Sequence, residues 1–175
     1  INKWRFININ FEKVNDIFTI LTSFLISDQT NNYLHVLVTL CETMNEKARE
    51  MSDMILSVFQ KNSSIDFNDI NVCLIYSEIM KIMPKSLSIY ASKILENLNS
   101  LDCFFILSKN IIECYPDLIN IELSFEKMKN AESSKYSPVF IGSFLKTFPF
   151  TTFKVVSIFT PKLNISPEFT LNFIL

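Results

Sequence analysis

The residues of this chain that could do chemistry are one histidine and four cysteines: His35, Cys41, Cys73, Cys103 and Cys114. A structural zinc site takes about four Cys or His ligands, often with a CxxC pair, and the chain has no CxxC pair. A Cys–His nucleophile pair needs both side chains on one face of a helix. Cys41 lies about two helical turns after His35 and is not on the same face. The sequence therefore predicts no catalytic residue, no metal ligand and no cofactor-binding residue, and we expect a protein that is not an enzyme.

Glutamates recur at every fourth position in one stretch of the chain, as Glu42, Glu46 and Glu50. Residues four apart share one face of a helix, so this spacing predicts an acidic ridge that could receive a basic peptide. The alternative is a solvated face whose glutamates form ion pairs with Lys47 and Arg49. We carry the three glutamates forward as candidate partner-binding residues.

Trp4 is the only tryptophan, and it lies beside Arg5 and Phe6 outside the regular part of the sequence. Amphipathic aromatic side chains are enriched at protein interfaces, which makes Trp4 a fourth candidate partner-binding residue. The single glycine, Gly142, falls within a predicted helix. We expect a neighbouring helix to approach closely there, with a functional kink as the alternative.

Composition narrows the class of protein further. Hydrophobic residues make up 49% of the 175 residues and include 17 Phe, which indicates extensive burial rather than disorder. Tight hairpins and phosphate-binding loops need glycines, so a chain with one glycine is expected to be all-α. The formal net charge of -2 does not favour direct binding to nucleic acid, and we expect neither a small-molecule substrate nor a cofactor.

Cellular context follows from the cysteines and the apolar runs. Cysteines within apolar runs usually behave as small buried hydrophobes, which favours a reducing compartment, the cytoplasm or the nucleus. No run reaches the ~20 apolar residues of a transmembrane helix. Because the chain begins with Ile1 and ends within an apolar stretch, we expect it to be part of a longer protein.

Apolar residues spaced three and four apart predict a succession of helices. The predicted ranges are 11–25, 31–44, 45–60, a helix ending at residue 83, 87–98, one from Asp102 to before Pro116, one from Asp117, one from Ser137-Pro138, and a last start at Ser166-Pro167. Residues 150–159 are rich in β-branched and aromatic types, which favours a strand on propensity alone. We nevertheless predict a helix there, because of the position of this segment in a repeat.

A large side chain followed by proline returns three times, at Met83-Pro84, Tyr115-Pro116 and Phe148-Pro149, so that the prolines are 32 and then 33 residues apart. Apolar residues also match at nine, five and four residues before each proline. Serines match eight residues after it, as Ser92, Ser124 and Ser157, where we expect small side chains packed between helices. Since proline ends a helix, each pair marks the elbow of a helical hairpin. An earlier unit without proline ends at Met44, with residues 61–69 as an inserted loop.

Periods of 20 to 50 residues are typical of solenoids. The pattern of helix, short turn and helix resembles the HEAT and armadillo class of helical repeats, although the units are shorter than the usual HEAT unit and lack a regular ladder of Asp and Arg. This resemblance implies a right-handed α-solenoid of about four stacked antiparallel hairpins with a period near 33. Residues 1–29 would then form a leading segment and helix, residues 30–164 the repeat region, and residues 165–175 the start of a further helix.

The function implied by the resemblance is that of a non-catalytic scaffold in a larger intracellular assembly, which binds other proteins through the solenoid surface. A compact helical bundle that binds a peptide or a helix in an apolar groove is the alternative. A groove that is lined by Phe and Met and closed at both ends would favour the bundle.

Overall fold

The computed structural model describes residues 14–27, 33–82 and 85–161, and within these ranges the regular structure is entirely helical. This confirms the all-α prediction. The α-helices are α1 Val14–Ser27, α2 Leu34–Thr43, α3 Asn45–Glu50, α4 Ser52–Lys61, α5 Ile70–Ile82, α6 Lys85–Leu95, α7 Leu101–Cys114, α8 Ile121–Met128, α9 Ser137–Thr147 and α10 Thr152–Phe159. Short 3-10 helices occupy Pro116–Leu118, Ala131–Ser133 and Pro149–Thr151.

Many helix contacts join helices that are two or three apart in chain order. Helix α5 packs against α2 on one side and α7 on the other, and α7 in turn packs against α9. The intervening helices contact one another in the same way, α4 with α6 and α8 with α10, and α1 packs on α4. The described residues therefore place α2, α5, α7 and α9 in one series.

The core is continuous along this series, and α7 lies at its centre between α5, α6 and α9. A helix with neighbours on several sides must be apolar around most of its circumference, which the sequence of α7 provides. Its buried residues are Cys103, Phe104, Phe105, Ile106, Leu107, Ser108, Asn110, Ile111 and Ile112. Phe105 also stacks on Phe140 of α9, with ring centroids 5.0 Å apart.

The residues at which α2, α7 and α9 end have similar backbone conformations. Tyr115 ends α7 at φ -146°, ψ 71°, and Phe148 ends α9 at φ -121°, ψ 65°. Met44, which ends α2 without a following proline, has φ -128°, ψ 51°. Each donates its backbone N–H to the carbonyl four residues earlier, which closes the last helical turn. The step at residues 83–84 lies outside the described residues.

The segment after Phe148, whose residue types favour a strand, is helical, as predicted from its position. Pro149–Thr151 form a 3-10 turn, and α10 follows directly. Val155 and Phe159, four residues apart, are fully buried on one face of α10, so tertiary packing overrides the β propensity of the segment.

Some predicted helix boundaries are wrong. The predicted helix over 45–60 is interrupted at Met51, where α3 ends and α4 begins. Helix α7 is capped by Ser100, whose Oγ accepts the N–H of Cys103, and Asp102 instead accepts a hydrogen bond from the Ser134 hydroxyl. A helix was predicted to start at Asp117, but Asp117 lies in a 3-10 turn. Helix α8 begins later and is capped by Asn120. Short polar side chains compete for these caps, and local sequence does not decide among them.

Ser137 does not cap α9, because its hydroxyl donates to the carbonyl of Ala131 at 2.7 Å.

The serines that recur eight residues after each proline also differ from the expectation. Ser124 is fully buried, whereas Ser157 is exposed and donates to the carbonyl of Lys154 on its own helix. The start predicted at residues 166–167 lies outside the described residues.

Polar contacts between different elements recur between residues about one period apart. Asn68 Oδ1 accepts the N–H groups of Asn99 and Ser100, which are 31 and 32 residues further along the chain. Further pairs separated by 29 to 33 residues are Arg49 with Ile82, Tyr90 with Phe59, Lys85 with Asp117, Lys127 with Leu98, Ser134 with Asp102, and Lys154 with Glu122. Other pairs are further apart, since Asn62 donates to the carbonyl of Leu25, 37 residues earlier, and the Cys103 thiol to that of Asn68, 35 residues earlier. Polar contacts therefore often join parts of the described chain that are 29 to 37 residues apart.

Candidate functional site

Two of the chemically reactive residues are brought together, since the thiols of Cys73 and Cys103 contact each other in the core. His35 is exposed on α2, whereas Cys41, Cys73 and Cys103 are buried. Burial raises the pKa of the Cys41 thiol to about 12, which keeps it protonated and unreactive near neutral pH. Within the described ranges, no group of three or more His, Cys, Asp or Glu side chains has the arrangement of a metal site.

Cys114 is the exception among the cysteines, since it is exposed at the end of α7. The expectation that all four thiols are buried hydrophobes is therefore wrong at this position. The last turn of α7 has its buried stripe at Ile111 and Ile112, so residue 114 faces outward. Partial desolvation and the neighbouring Glu113 carboxylate raise the pKa of Cys114.

The three candidate glutamates are exposed but do not share one continuous helix. Glu42 is on α2, and Glu46 and Glu50 are on α3, which begins after the non-helical Met44. Glu50 forms an ion pair with Lys47 on the same helix. The spacing argument for a single ridge assumed an unbroken helix, and the break at Met44 removes that assumption. The fourth candidate, Trp4, lies outside the described residues.

A surface groove crosses α5, α7 and α9. It has a volume of about 210 Å³, and both exposed apolar residues and ion-paired side chains line it. The lining residues are Leu74, Ser77, Glu78, Lys81, Phe105, Ile106, Lys109, Asn110, Tyr136 and Val139. Leu74 and Val139 are 38% and 59% exposed, while Phe105 and Ile106 are buried beneath them.

Polar atoms without partners lie in the same lining. Ser77 and Asn110 are only 2% and 6% exposed, and neither Ser77 Oγ nor Asn110 Oδ1 has a hydrogen-bond partner among the described residues. The other polar atom of Asn110, Nδ2, donates to the carbonyl of Ile106 at 3.0 Å. An unpaired buried polar atom costs free energy, and both oxygens are enclosed by neighbouring atoms.

The charges at the groove are locally balanced. Lys81 forms an ion pair with Glu78 at 2.8 Å, and Lys109 forms one with Glu113, also at 2.8 Å. Because each lysine is matched by a carboxylate on its own helix, the groove has no strong field of either sign.

Gly142 lies on the outward face of α9, three residues after Val139. A Cβ placed on Gly142 would have no atom within 4 Å, and its φ is not positive. We expected a neighbouring helix to approach Gly142 closely, and among the described residues this expectation is wrong. The backbone angles at Gly142 do not require glycine either. The backbone of α9 is open at this point.

The repeat contained a signal for this groove. Residues ten before each proline are Leu74, Ile106 and Val139, and the positions seven and six before proline include Ser77, Lys109, Asn110 and Gly142. Sequence reasoning used the apolar stripe at nine, five and four residues before proline, which is the buried face. The positions ten, seven and six residues before proline line the groove, with Leu74 and Val139 exposed and Ile106, Ser77 and Asn110 buried.

Over the described ranges, no individual helix has the length and apolar character needed to cross a bilayer. Ser137–Thr147 and Pro149–Phe159 pass the length and composition test only as a pair, and they are bent by 112° at the break between them. Comparison of the chain with protein-family models, curated proteins and solved structures finds no match.

Proposed function

We propose that this chain is a non-catalytic helical-repeat scaffold, of the HEAT and armadillo type, that binds other proteins inside the cell. The observation that carries the proposal is the recurrence of inter-element contacts at 29 to 33 residues, as between Lys85 and Asp117 and between Lys154 and Glu122. In a solenoid each unit contacts only its neighbours, so contacts of one fixed sequence separation are expected. About four hairpins with a period near 33 account for these contacts.

Partner binding is supported by exposed apolar residues at one position of the repeat. Stacked hairpins align equivalent positions into extended surfaces, which is how solenoids bind proteins. Leu74 and Val139 occupy equivalent positions and expose apolar surface. Four free cysteines fit a reducing compartment, the cytoplasm or the nucleus.

The alternative function is that of a compact bundle with a peptide-binding groove. It predicts a groove lined by Phe and Met, whereas the groove on α5, α7 and α9 has Phe105 and no Met in its lining. We therefore place the repeat scaffold first.

The scaffold proposal is tested by purifying the tagged chain from the cells that make it, under native conditions, and measuring stoichiometry by mass spectrometry. We expect defined protein partners in fixed ratio to the chain, and an elongated particle by small-angle scattering. A compact domain of this length has a radius of gyration of about 16 Å. Recovery of the chain alone, or a radius no larger than this value, would contradict the proposal.

A further inference from the structure

Helix α1 has apolar residues on two adjacent faces. Phe18 and Leu25 are fully buried, and α1 packs against α4. Ile17, Ile20 and Phe24 are 40%, 69% and 47% exposed, and their spacing of three and four residues places them together on the other face. A helix with one neighbour needs an apolar stripe only ~100° wide, and the two faces together are wider. The outer stripe of α1, formed by Ile17, Ile20 and Phe24, therefore has the character of a surface that a further segment covers.

The segment that directly precedes α1 has the composition and the length to cover this stripe. Its apolar residues are Ile1, Trp4, Phe6, Ile7, Ile9 and Phe11. The outer stripe rises ~10.5 Å from Ile17 to Phe24, at 1.5 Å per residue. When four residues are set aside for a chain reversal, residues 1–9 measure ~13 Å as a helix and ~30 Å as an extended chain, so both conformations reach along the stripe.

Charge favours the same occupant over a second copy of the chain. From Val14 to Glu46 the sequence has no lysine or arginine, and its charged residues are Asp16, Asp28, Glu42 and Glu46. Residues 1–13 carry three basic residues, Lys3, Arg5 and Lys13, against the single acidic residue Glu12. Opposite charges favour the contact between this segment and α1, whereas a two-fold dimer through the outer stripe would bring two acidic surfaces together.

An aromatic pair marks the far end of the stripe. The rings of Phe24 and Tyr33 meet edge to face, with centroids 4.8 Å apart, and Tyr33 is 42% exposed. A segment that turns back at the first residue of α1 runs toward this pair, and its N-terminal part reaches it last. Aromatic side chains gain from such edge-to-face and stacked contacts in addition to the area that they bury.

We propose that residues 1–13 fold back along α1 and cover the outer stripe, with the Trp4 indole beside Phe24 and Tyr33. Trp4 then closes the first described helix and is not an anchor for another protein. This inference goes beyond the scaffold function and does not depend on it.

Trp4 is the only tryptophan, so the fluorescence of the whole chain reports on this residue alone. We expect emission at a shorter wavelength than that of N-acetyltryptophanamide, and an acrylamide quenching constant less than half as large. Ile20→Glu is expected to shift the emission to longer wavelength and to raise quenching at least twofold, because the introduced carboxylate resists burial under the segment. Val139→Glu, the same change at a valine of α9 that is 59% exposed, should leave both values unchanged.

Photo-crosslinking identifies the occupant directly and does not require the Ile20→Glu variant to fold. With p-benzoylphenylalanine in place of Ile20, irradiation of the purified chain should produce cross-links to residues 1–13 within a single chain, as located by peptide mass spectrometry. A covalent dimer on a denaturing gel would show that a second copy covers the stripe, and this would overturn the proposal. So would wild-type emission and quenching equal to those of N-acetyltryptophanamide, or no response of either to Ile20→Glu.

The two proposals fail separately. If Trp4 is fully accessible while defined partners still co-purify, the covering of α1 is wrong and the scaffold function stands. If Trp4 is protected and cross-linked as expected while the chain is recovered alone, the scaffold function is wrong and the covering of α1 stands.

Discussion

At the scale of single residues, burial decides which side chains have a chemical role. Three thiols are enclosed by the core, and the buried polar side-chain atoms that lack a hydrogen-bond partner among the described residues belong to Ser77, Ser86, Ser88, Ser108 and Asn110. Their residue types do not stand out in the sequence. Only the neighbours of each side chain distinguish them from the other serines and asparagines.

Cys114 is expected to be the reactive cysteine of the four in the folded chain. Its pKa is raised by desolvation and by Glu113, so its thiolate fraction at pH 8 is lower than that of an ordinary cysteine and increases further above pH 9. Native alkylation followed by peptide mass spectrometry should therefore label Cys114 slowly, and faster as the pH rises. Cys114→Ser should abolish this labelling, and rapid labelling of Cys41 under native conditions would contradict the expectation.

Gly142→Ala is expected to stabilise the chain. The alanine methyl group meets no atom within 4 Å, so only the gain in helix propensity remains, about 1 kcal/mol. Urea unfolding followed by circular dichroism measures the change. Ser143→Ala, at the next position on α9, is the control and should change the free energy of unfolding by less than about 0.5 kcal/mol. A loss of stability in Gly142→Ala would show that the backbone at this position needs glycine.

At the scale of elements, successive segments are joined by polar contacts at their loops. Asn68, in the loop before α5, accepts N–H groups from Asn99 and Ser100 before α7, at 2.9 and 3.1 Å. Ser134, before α9, donates in the same region to Asp102. The loops therefore help to set the spacing of α5, α7 and α9.

Asn68→Ala is expected to destabilise the chain by about 1 kcal/mol, because two backbone N–H groups lose their acceptor near the surface. Asn71→Ala is the matched control, since Asn71 is also exposed and lies three residues away on α5. Chemical denaturation of both variants provides the comparison. Equal stability of the two variants would show that the Asn68 contact contributes nothing measurable.

The ion pair between Lys85 and Asp117, 2.9 Å apart, joins the positions that follow Pro84 and Pro116. The hydrogen bond from Lys85 lowers the pKa of the Asp117 carboxyl below its usual value. The contribution of the pair to stability is therefore present above the pKa of the unfolded state and is lost as the pH falls through the folded-state pKa.

Carbon-detected NMR titration of Asp117 is expected to show this lowered pKa, and Lys85→Met should raise it toward the ordinary aspartate value. Lys81→Met, which removes a lysine paired with Glu78 instead, should leave the Asp117 pKa unchanged. A pKa of Asp117 that does not respond to Lys85→Met would contradict the assignment.

At the scale of the whole molecule, the high phenylalanine content divides into core and surface. Phe105 on α7 is 0% exposed and stacks on Phe140, whereas Phe153 on α10 is 86% exposed. Phe105→Ala is expected to cost about 3–5 kcal/mol, and Phe153→Ala about 0.5 kcal/mol or less. Differential scanning calorimetry of the two variants measures the difference. A similar loss for both would mean that Phe153 is covered in solution.

Apolar periodicity, the scarcity of glycine and the prolines were enough to predict the helical class, the helix ends at Tyr115 and Phe148, and the helix after Pro149. These features depend on neighbours in sequence, namely apolar spacing, the missing N–H of proline and the recurrence of a unit. The break at Met51 and the caps at Ser100 and Asn120 were not predictable, because several nearby polar residues suit the same position.

The apolar residues ten positions before each proline could be seen in the sequence, but their role depended on tertiary structure. Leu74, Ile106 and Val139 are about one period apart, and only packing of α5 against α7 and of α7 against α9 places them around one groove. Whether Asn110 is paired, whether Gly142 has a neighbour and whether Cys114 is exposed likewise depend on side chains distant in sequence. The sequence determined the helical class and where α7 and α9 end, because apolar spacing and proline act on near neighbours. The tertiary structure decided which side chains are buried, paired or exposed, because that depends on residues distant in sequence.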